Sequence, residues 1–127
     1  MIIKKLLDYS KRWIPVLVWA IFIFYLSSIP NLSTGLGLWD TIMRKIAHII
    51  EYGILTFLLW RAIKNDKRPF YISLSWATIF AIIYALTDEI HQGFVPTRHF
   101  SLIDVGIDSV GAILVAWIIR RRIVQNQ

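Results

Sequence analysis

From Trp13 to Ile29 the chain reads WIPVLVWAIFIFYLSSI, seventeen residues without one charge. That length suits one helical crossing of a hydrocarbon core about 30 Å thick, which takes roughly 20 mostly apolar residues at about 1.5 Å each. Three more such segments follow: one through IMRKIAHIIEYGILTFLLWRAI, one from Phe70 to Gln92 that is uncharged as far as Thr87, and one from Ser101 to Ile119. With 57% hydrophobic residues and a mean hydropathy of +0.59, the 127-residue chain is too apolar for an ordinary soluble domain and long enough for about four crossings. The expected fold is all-α, a polytopic membrane protein built as a compact bundle of four transmembrane helices. They fall at about 13–30, 41–63, 70–92 and 102–119, in one unit spanning 1–127 with no internal repeat.

Local signals suggest the helix ends. Pro15 fits a first turn, where its missing N–H costs little, and Pro30 closes the first crossing. Lysines precede this segment as in a secretion signal, but the apolar part is long for one and SIPNLS offers no small-x-small cleavage pattern, so it is read as an uncleaved helix. NLSTGLGL has loop chemistry, and Asp40 stands where it would accept the free N–H groups of the second helix. Gly93 suits a left-handed end to the third helix. Ser101-Leu-Ile-Asp104 fits a capping box in which the aspartate reaches back to the cap.

The net charge of +6 sits in short blocks beside apolar runs, which speaks for membrane topology rather than for nucleic acid. Eleven of the fourteen basic residues fall on one side: Lys4, Lys5, Lys11 and Arg12; Arg61, Lys64, Lys67 and Arg68; and Arg120 to Arg122. Cytoplasmic loops carry the Lys/Arg excess, so both termini are expected to be cytoplasmic, with Arg44, Lys45 and Arg98 toward the outer half. Six of the eight acids, Asp40, Glu51, Asp88, Glu89, Asp104 and Asp108, go to that outer half as well. The absence of cysteine excludes disulfides and thiolate metal sites.

At 100° per residue His48 shares a helical face with Arg44, Glu51 and Tyr52, Asp88 shares one with His91 and Gln92, and Asp104, Asp108 and Gly111 follow one another along the fourth helix. Antiparallel packing would bring these stripes to a common level. A charge near the bilayer centre costs about 2.5–3.5 kcal/mol even on the mild insertion scale, so such groups must face inward and find partners. Asp104 and Asp108, one turn apart, need a proton, Lys45, Arg98 or a bound cation between them. Plain structural readings stand beside functional ones: a capping role for Asp40 and Asp104, bonds from Ser27 and Ser28 back to their own helix, close helix contact at Gly106 and Gly111, and a salt-bridge network for the rest. His48-x-x-Glu51 and Asp88-x-x-His91 have spacings usable by a divalent metal, making His48, Glu51, Asp88 and His91 the candidate ligands. Lys45, Arg98 and His99 offer a phosphate or carboxylate site instead.

Lys45-x-x-His48-x-x-Glu51-Tyr52, Arg61 at the end of that helix, Asp88-Glu89-x-His91-Gln92-x-Phe94-x-Pro96-x-Arg98 and Asp104-x-x-x-Asp108-x-x-Gly111 together resemble the VanZ-like family of small bacterial membrane proteins. Ser27-Ser28-Ile29-Pro30 fits the end of that family's first helix, so the resemblance runs from about Ile23 to Gly111. Val115 departs from it, standing where a second small residue is expected on the fourth helix. The resemblance implies a multi-pass protein of the bacterial cytoplasmic membrane, and the family's namesake is associated with low-level resistance to the glycopeptide teicoplanin. It implies no particular reaction. Three functions follow as expectations. The first is a cell-envelope resistance factor binding a lipid-linked precursor or glycopeptide through Lys45, Tyr52, Gln92, Arg98 and Asp104. The second is an enzyme acting on a lipid-linked phosphate or amide by metal or acid/base assistance, with His48, Glu51, Asp88, Glu89, His91 and Asp108 as catalytic candidates. The third is a small proton-coupled transporter.

Overall fold

The computed structural model describes residues 1–30 and 34–127. It contains four helices, α1 (Ile2–Ser28), α2 (Leu38–Ile63), α3 (Phe70–Gln92) and α4 (Leu102–Gln125), each long and apolar enough to cross a membrane. Even α3, the shortest at 23 residues, extends about 35 Å at about 1.5 Å per residue. α1 and α4 outrun their apolar parts, because lysine and arginine are good helix formers and no glycine or proline interrupts Ile2 to Trp13 or Ile113 to Gln125. Apolarity marks the membrane-crossing part of a helix, not the helix.

One consequence concerns Pro15, which lies inside α1 rather than in its first turn. Proline has no N–H for the carbonyl four residues earlier, that of Lys11. Arg61 Nη2 donates to the Lys11 carbonyl instead, at 3.3 Å, and Arg12 Nη1 donates to the Lys64 carbonyl at 3.1 Å. These bonds lace α1 to the end of α2 at the basic end of the bundle. There Lys64 also lies over the Trp60 ring, at 4.6 Å, and Arg121 over Trp117, at 5.0 Å.

α2 is the centre of the bundle and touches the other three helices; α3 packs on α4, while α1 lies against α2 and α3 and, among the described residues, does not reach α4. The core is narrow. Ala77, Ala81 and Ala85 bury one stripe of α3 against a cluster that includes Ile23, Tyr52 and Leu55. Outward faces carry large apolar residues such as Ile21, 67% exposed, and Ile113, 55% exposed. Helices apolar on both their inner and outer faces need an apolar solvent, and the protein is a multi-pass membrane protein.

The most extensive packing is between α2 and α4, which come close at two glycines. A Cβ added at Gly111 would overlap the Ile49 backbone, standing 2.9 Å from its Cα, and one added at Gly53 would meet Val115 Cγ2 at 2.8 Å. The small residue missing at Val115 is therefore supplied across the interface by Gly53. Gly106 takes no part in close packing, since a Cβ there would meet nothing within 4 Å.

Three helix ends differ from the sequence expectation. α2 begins at Leu38, so Asp40 lies within its first turn and turns its carboxylate back on the linker, accepting from Thr34 N at 3.0 Å and Leu36 N at 3.2 Å. Gly93 is right-handed, with φ −60°, because the chain continues in tight turns from Phe94 N to the His91 carbonyl and from Val95 N to the Gln92 carbonyl. At α4 half of the capping box forms: Ser101 Oγ accepts from Asp104 N at 3.3 Å, but Ser101 N goes to Glu89 Oε2 on α3, also at 3.3 Å. Asp104 is thereby released for another partner.

Candidate functional site

The C-terminal ends of α1 and α3 and the N-terminal parts of α2 and α4 meet at the end of the bundle opposite the basic blocks. Successive residues on a helix point about 100° apart, so Asp88 and Glu89 of α3 face different neighbours. Asp88 turns to α1, where Ser27 Oγ donates to its Oδ2 at 2.7 Å and Gln92 Nε2 donates to the same oxygen at 3.1 Å. The Tyr52 hydroxyl of α2 approaches Asp88 without reaching hydrogen-bond geometry. Glu89 turns toward the start of α4, where it takes Ser101 N. Ser28 bonds back to the Phe24 carbonyl of its own helix, as expected; Ser27 does not.

Between α2 and α4 the two aspartates find separate partners. Lys45 Nζ pairs with Asp104 Oδ1 at 2.8 Å near the surface, and His48 Nδ1 lies 3.0 Å from Asp108 Oδ1 one turn deeper. Burial grows along this direction: both members of the first pair are over a third exposed, whereas the Asp108 side chain is fully buried.

Arg98 is aimed by a strained turn. Arg98 N donates to the Val95 carbonyl at 3.1 Å, closing a turn over Val95-Pro96-Thr97-Arg98, and Thr97 has φ 70°. Proline followed by a residue of positive φ is the type II arrangement, which normally places glycine or asparagine where Thr97 stands. From this turn Arg98 Nε donates to the Ile29 carbonyl and Nη1 to Gln92 Oε1, both at 3.1 Å. Both acceptors are neutral. Burial, and then the positive charge of Arg44 beside it, hold the Arg98 guanidinium below its usual pKa range.

These groups surround a cavity of about 250 Å³ between α2, α3, α4 and the Arg98 loop, with Arg44, Lys45 and Arg98 among its walls and His48, Glu89 and Asp108 at its inner side. A second cavity of about 260 Å³, on the α1 side, is lined by Ser27 and Glu51 and shares Arg44, His48 and Arg98 with the first. Of the expected site residues, Lys45, His48, Glu89, Gln92, Arg98, Asp104 and Asp108 thus line one cavity, Glu51 lines its neighbour, and Asp88 and Tyr52 lie buried beside them. His91 stands apart, its ring stacked on Phe24 of α1 with centroids 4.1 Å apart.

The quartet of His48, Glu51, Asp88 and His91, expected from spacing to hold a metal, does not gather into a ligand set. Among the described residues the donor atoms that converge, all within 4.8 Å of one another, belong to His48, Glu89 and Asp108.

The VanZ/LLP1 family model matches residues 9–125. The chain belongs to the VanZ/LLP1 family. Comparison with curated proteins and with solved structures gives no match. In this VanZ/LLP1 protein the expected site residues lie at one end of the bundle, with His91 turned to Phe24 rather than into the cavities, while Arg61 lies at the basic end.

Sequence reasoning missed three contributors. Ser27 reads as an ordinary helix serine and becomes a partner of Asp88 only through the α1–α3 contact. Arg44 lies on the His48 face but was not singled out as a site residue, and Thr97 signals its role only through the strained turn that Pro96 begins. For Thr97 the sequence did carry a usable signal, a proline followed by a residue that rarely takes positive φ.

Proposed function

We propose that this end of the bundle binds an anionic head group, a phosphate or carboxylate of a lipid-linked cell-wall precursor or of a glycopeptide, at the outer leaflet of a bacterial cytoplasmic membrane. The cellular role that goes with it is that of a cell-envelope factor in glycopeptide resistance. The observation that carries this reading is Arg98. The guanidinium is partly buried, lies beside Arg44 and bonds only to two neutral acceptors, while Asp88, Glu89 and Glu51 act on it without a salt bridge among the described residues, so a planar anion in the cavity would give it a direct charged partner. The outward orientation rests on the charge count, with eleven of fourteen basic residues at the other end of the bundle.

Teicoplanin susceptibility of cells expressing the wild type, Arg98→Lys and Lys45→Ala at matched membrane abundance tests the role. Increased susceptibility of both variants is expected. Wild-type susceptibility in both would contradict it.

An enzyme acting on a lipid-linked phosphate or amide is the second reading, favoured by the carboxylates of Glu89 and Asp108, which face the cavity beside an imidazole and leave one oxygen each without a hydrogen-bond partner. Release of inorganic phosphate from a polyprenyl phosphate in reconstituted membranes, abolished by Glu89→Gln, would favour it over simple binding. A transporter draws little support, since the buried residues toward the basic end are mainly Val16, Leu59, Ala62, Leu74 and Ala77, with only hydroxyls such as Thr56 and Ser73 among them.

A further inference from the structure

We propose that His48, Glu89 and Asp108 form a binding site for one divalent transition-metal ion with nitrogen and oxygen ligands, zinc or manganese in kind. The three residues come from α2, α3 and α4 respectively, the helices most extensively packed on one another, so the donors are held by three mutually packed helices. Ligand atoms sharing an ion at about 2.1 Å stand roughly 3–4 Å apart, so a set already within 4.8 Å needs only small side-chain rotations to close.

The second observation is the state of the carboxylates. Glu89 is 1% exposed and Asp108 0%, yet Glu89 Oε1 and Asp108 Oδ2 have no hydrogen-bond partner. Buried acceptors left in that state are costly, and buried charges are expected to be paired or to hold a metal. The nearby donors are already committed: Lys45 to Asp104, Ser101 N to the other oxygen of Glu89, and Arg98 to Gln92 and Ile29. One imidazole facing two carboxylates leaves a deficit of positive charge. An imidazole with two carboxylates suits zinc or manganese better than magnesium or calcium, which favour all-oxygen shells. Only three protein ligands converge, and the cavity of about 250 Å³ beside them leaves room for water or a ligand oxygen at the remaining positions.

The site stands independently of the anion proposed above. It is tested on the purified full chain in nanodiscs, stripped with a chelator and dialysed separately against zinc, manganese and magnesium, with bound metal measured by mass spectrometry. About one zinc or manganese ion per chain and a raised melting temperature are expected, with little magnesium retained. Glu89→Gln and Asp108→Asn should each weaken binding by at least about tenfold, while His91→Gln should bind as the wild type does. Should a variant fail to fold, X-ray absorption of the zinc-loaded wild type carries the test, with a shell of one imidazole and oxygen donors expected. Substoichiometric metal in the wild type, retention undiminished by both carboxylate substitutions, or a shell without imidazole would each overturn the proposal.

Discussion

His48 of α2 and Asp108 of α4 meet at 3.0 Å, Nδ1 to Oδ1, directly beneath the more exposed pair of Lys45 and Asp104. The two pairs tie the same two helices at different depths, and depth decides their worth. An exposed ion pair contributes about 0–1 kcal/mol, whereas removing one partner from a buried pair costs about 3–5 kcal/mol. His48→Ala in chelator, which leaves the buried Asp108 carboxylate without its partner, is therefore expected to lower the melting temperature sharply, and Lys45→Ala to leave it within about a degree or two. Equal effects of the two substitutions would show that the deeper pair has no special structural weight.

Thr97 holds a φ of 70° at the cavity wall, where a β-branched residue is strained by about 1–2 kcal/mol. Thr97→Gly relieves that strain but adds freedom to the unfolded chain, so a net stabilisation of up to about 1 kcal/mol is expected, read as an equal or higher melting temperature. A marked fall would mean that the Thr97 side chain secures the Arg98 turn.

Gly111 and Gly106 share a helix and differ in what lies opposite. Gly111→Ala drives a methyl into the Ile49 backbone and is expected to cost about 1–3 kcal/mol, whereas Gly106→Ala points into open space and should be neutral or slightly stabilising. Thermal unfolding in detergent compares them directly. A neutral Gly111→Ala would show that α2 and α4 can separate without loss.

The four crossings were legible from uncharged runs and basic blocks, because long apolar helices and membrane thickness leave few alternatives. Lys45 is among the partners expected for the two aspartates, and helical periodicity also places His48, Asp104 and Asp108 on faces that meet. It failed where the choice depended on which neighbour a face would meet. Asp88 and Glu89 are adjacent in sequence, and only the packing of α3 sends one to Ser27 and the other to Ser101. His91 has the spacing of a ligand but turns to Phe24, and Asp40 has the chemistry of a cap but serves the linker because Leu38 and Trp39 extend the helix past it.

Whether this end of the bundle captures an anionic head group is tested most directly by lipid retention. Native mass spectrometry of the protein released from nanodiscs containing a polyprenyl phosphate, with phosphatidylcholine as the neutral control, reads it without recourse to cells. A charge-assisted bond is worth about 1.5–3 kcal/mol, so Arg98→Lys, which keeps the charge and loses the planar fork, should reduce retention of the phosphate lipid by about tenfold or more and leave phosphatidylcholine unchanged. Retention equal in wild type and Arg98→Lys, or no preference of the wild type for the phosphate lipid, would contradict an anion site built around Arg98.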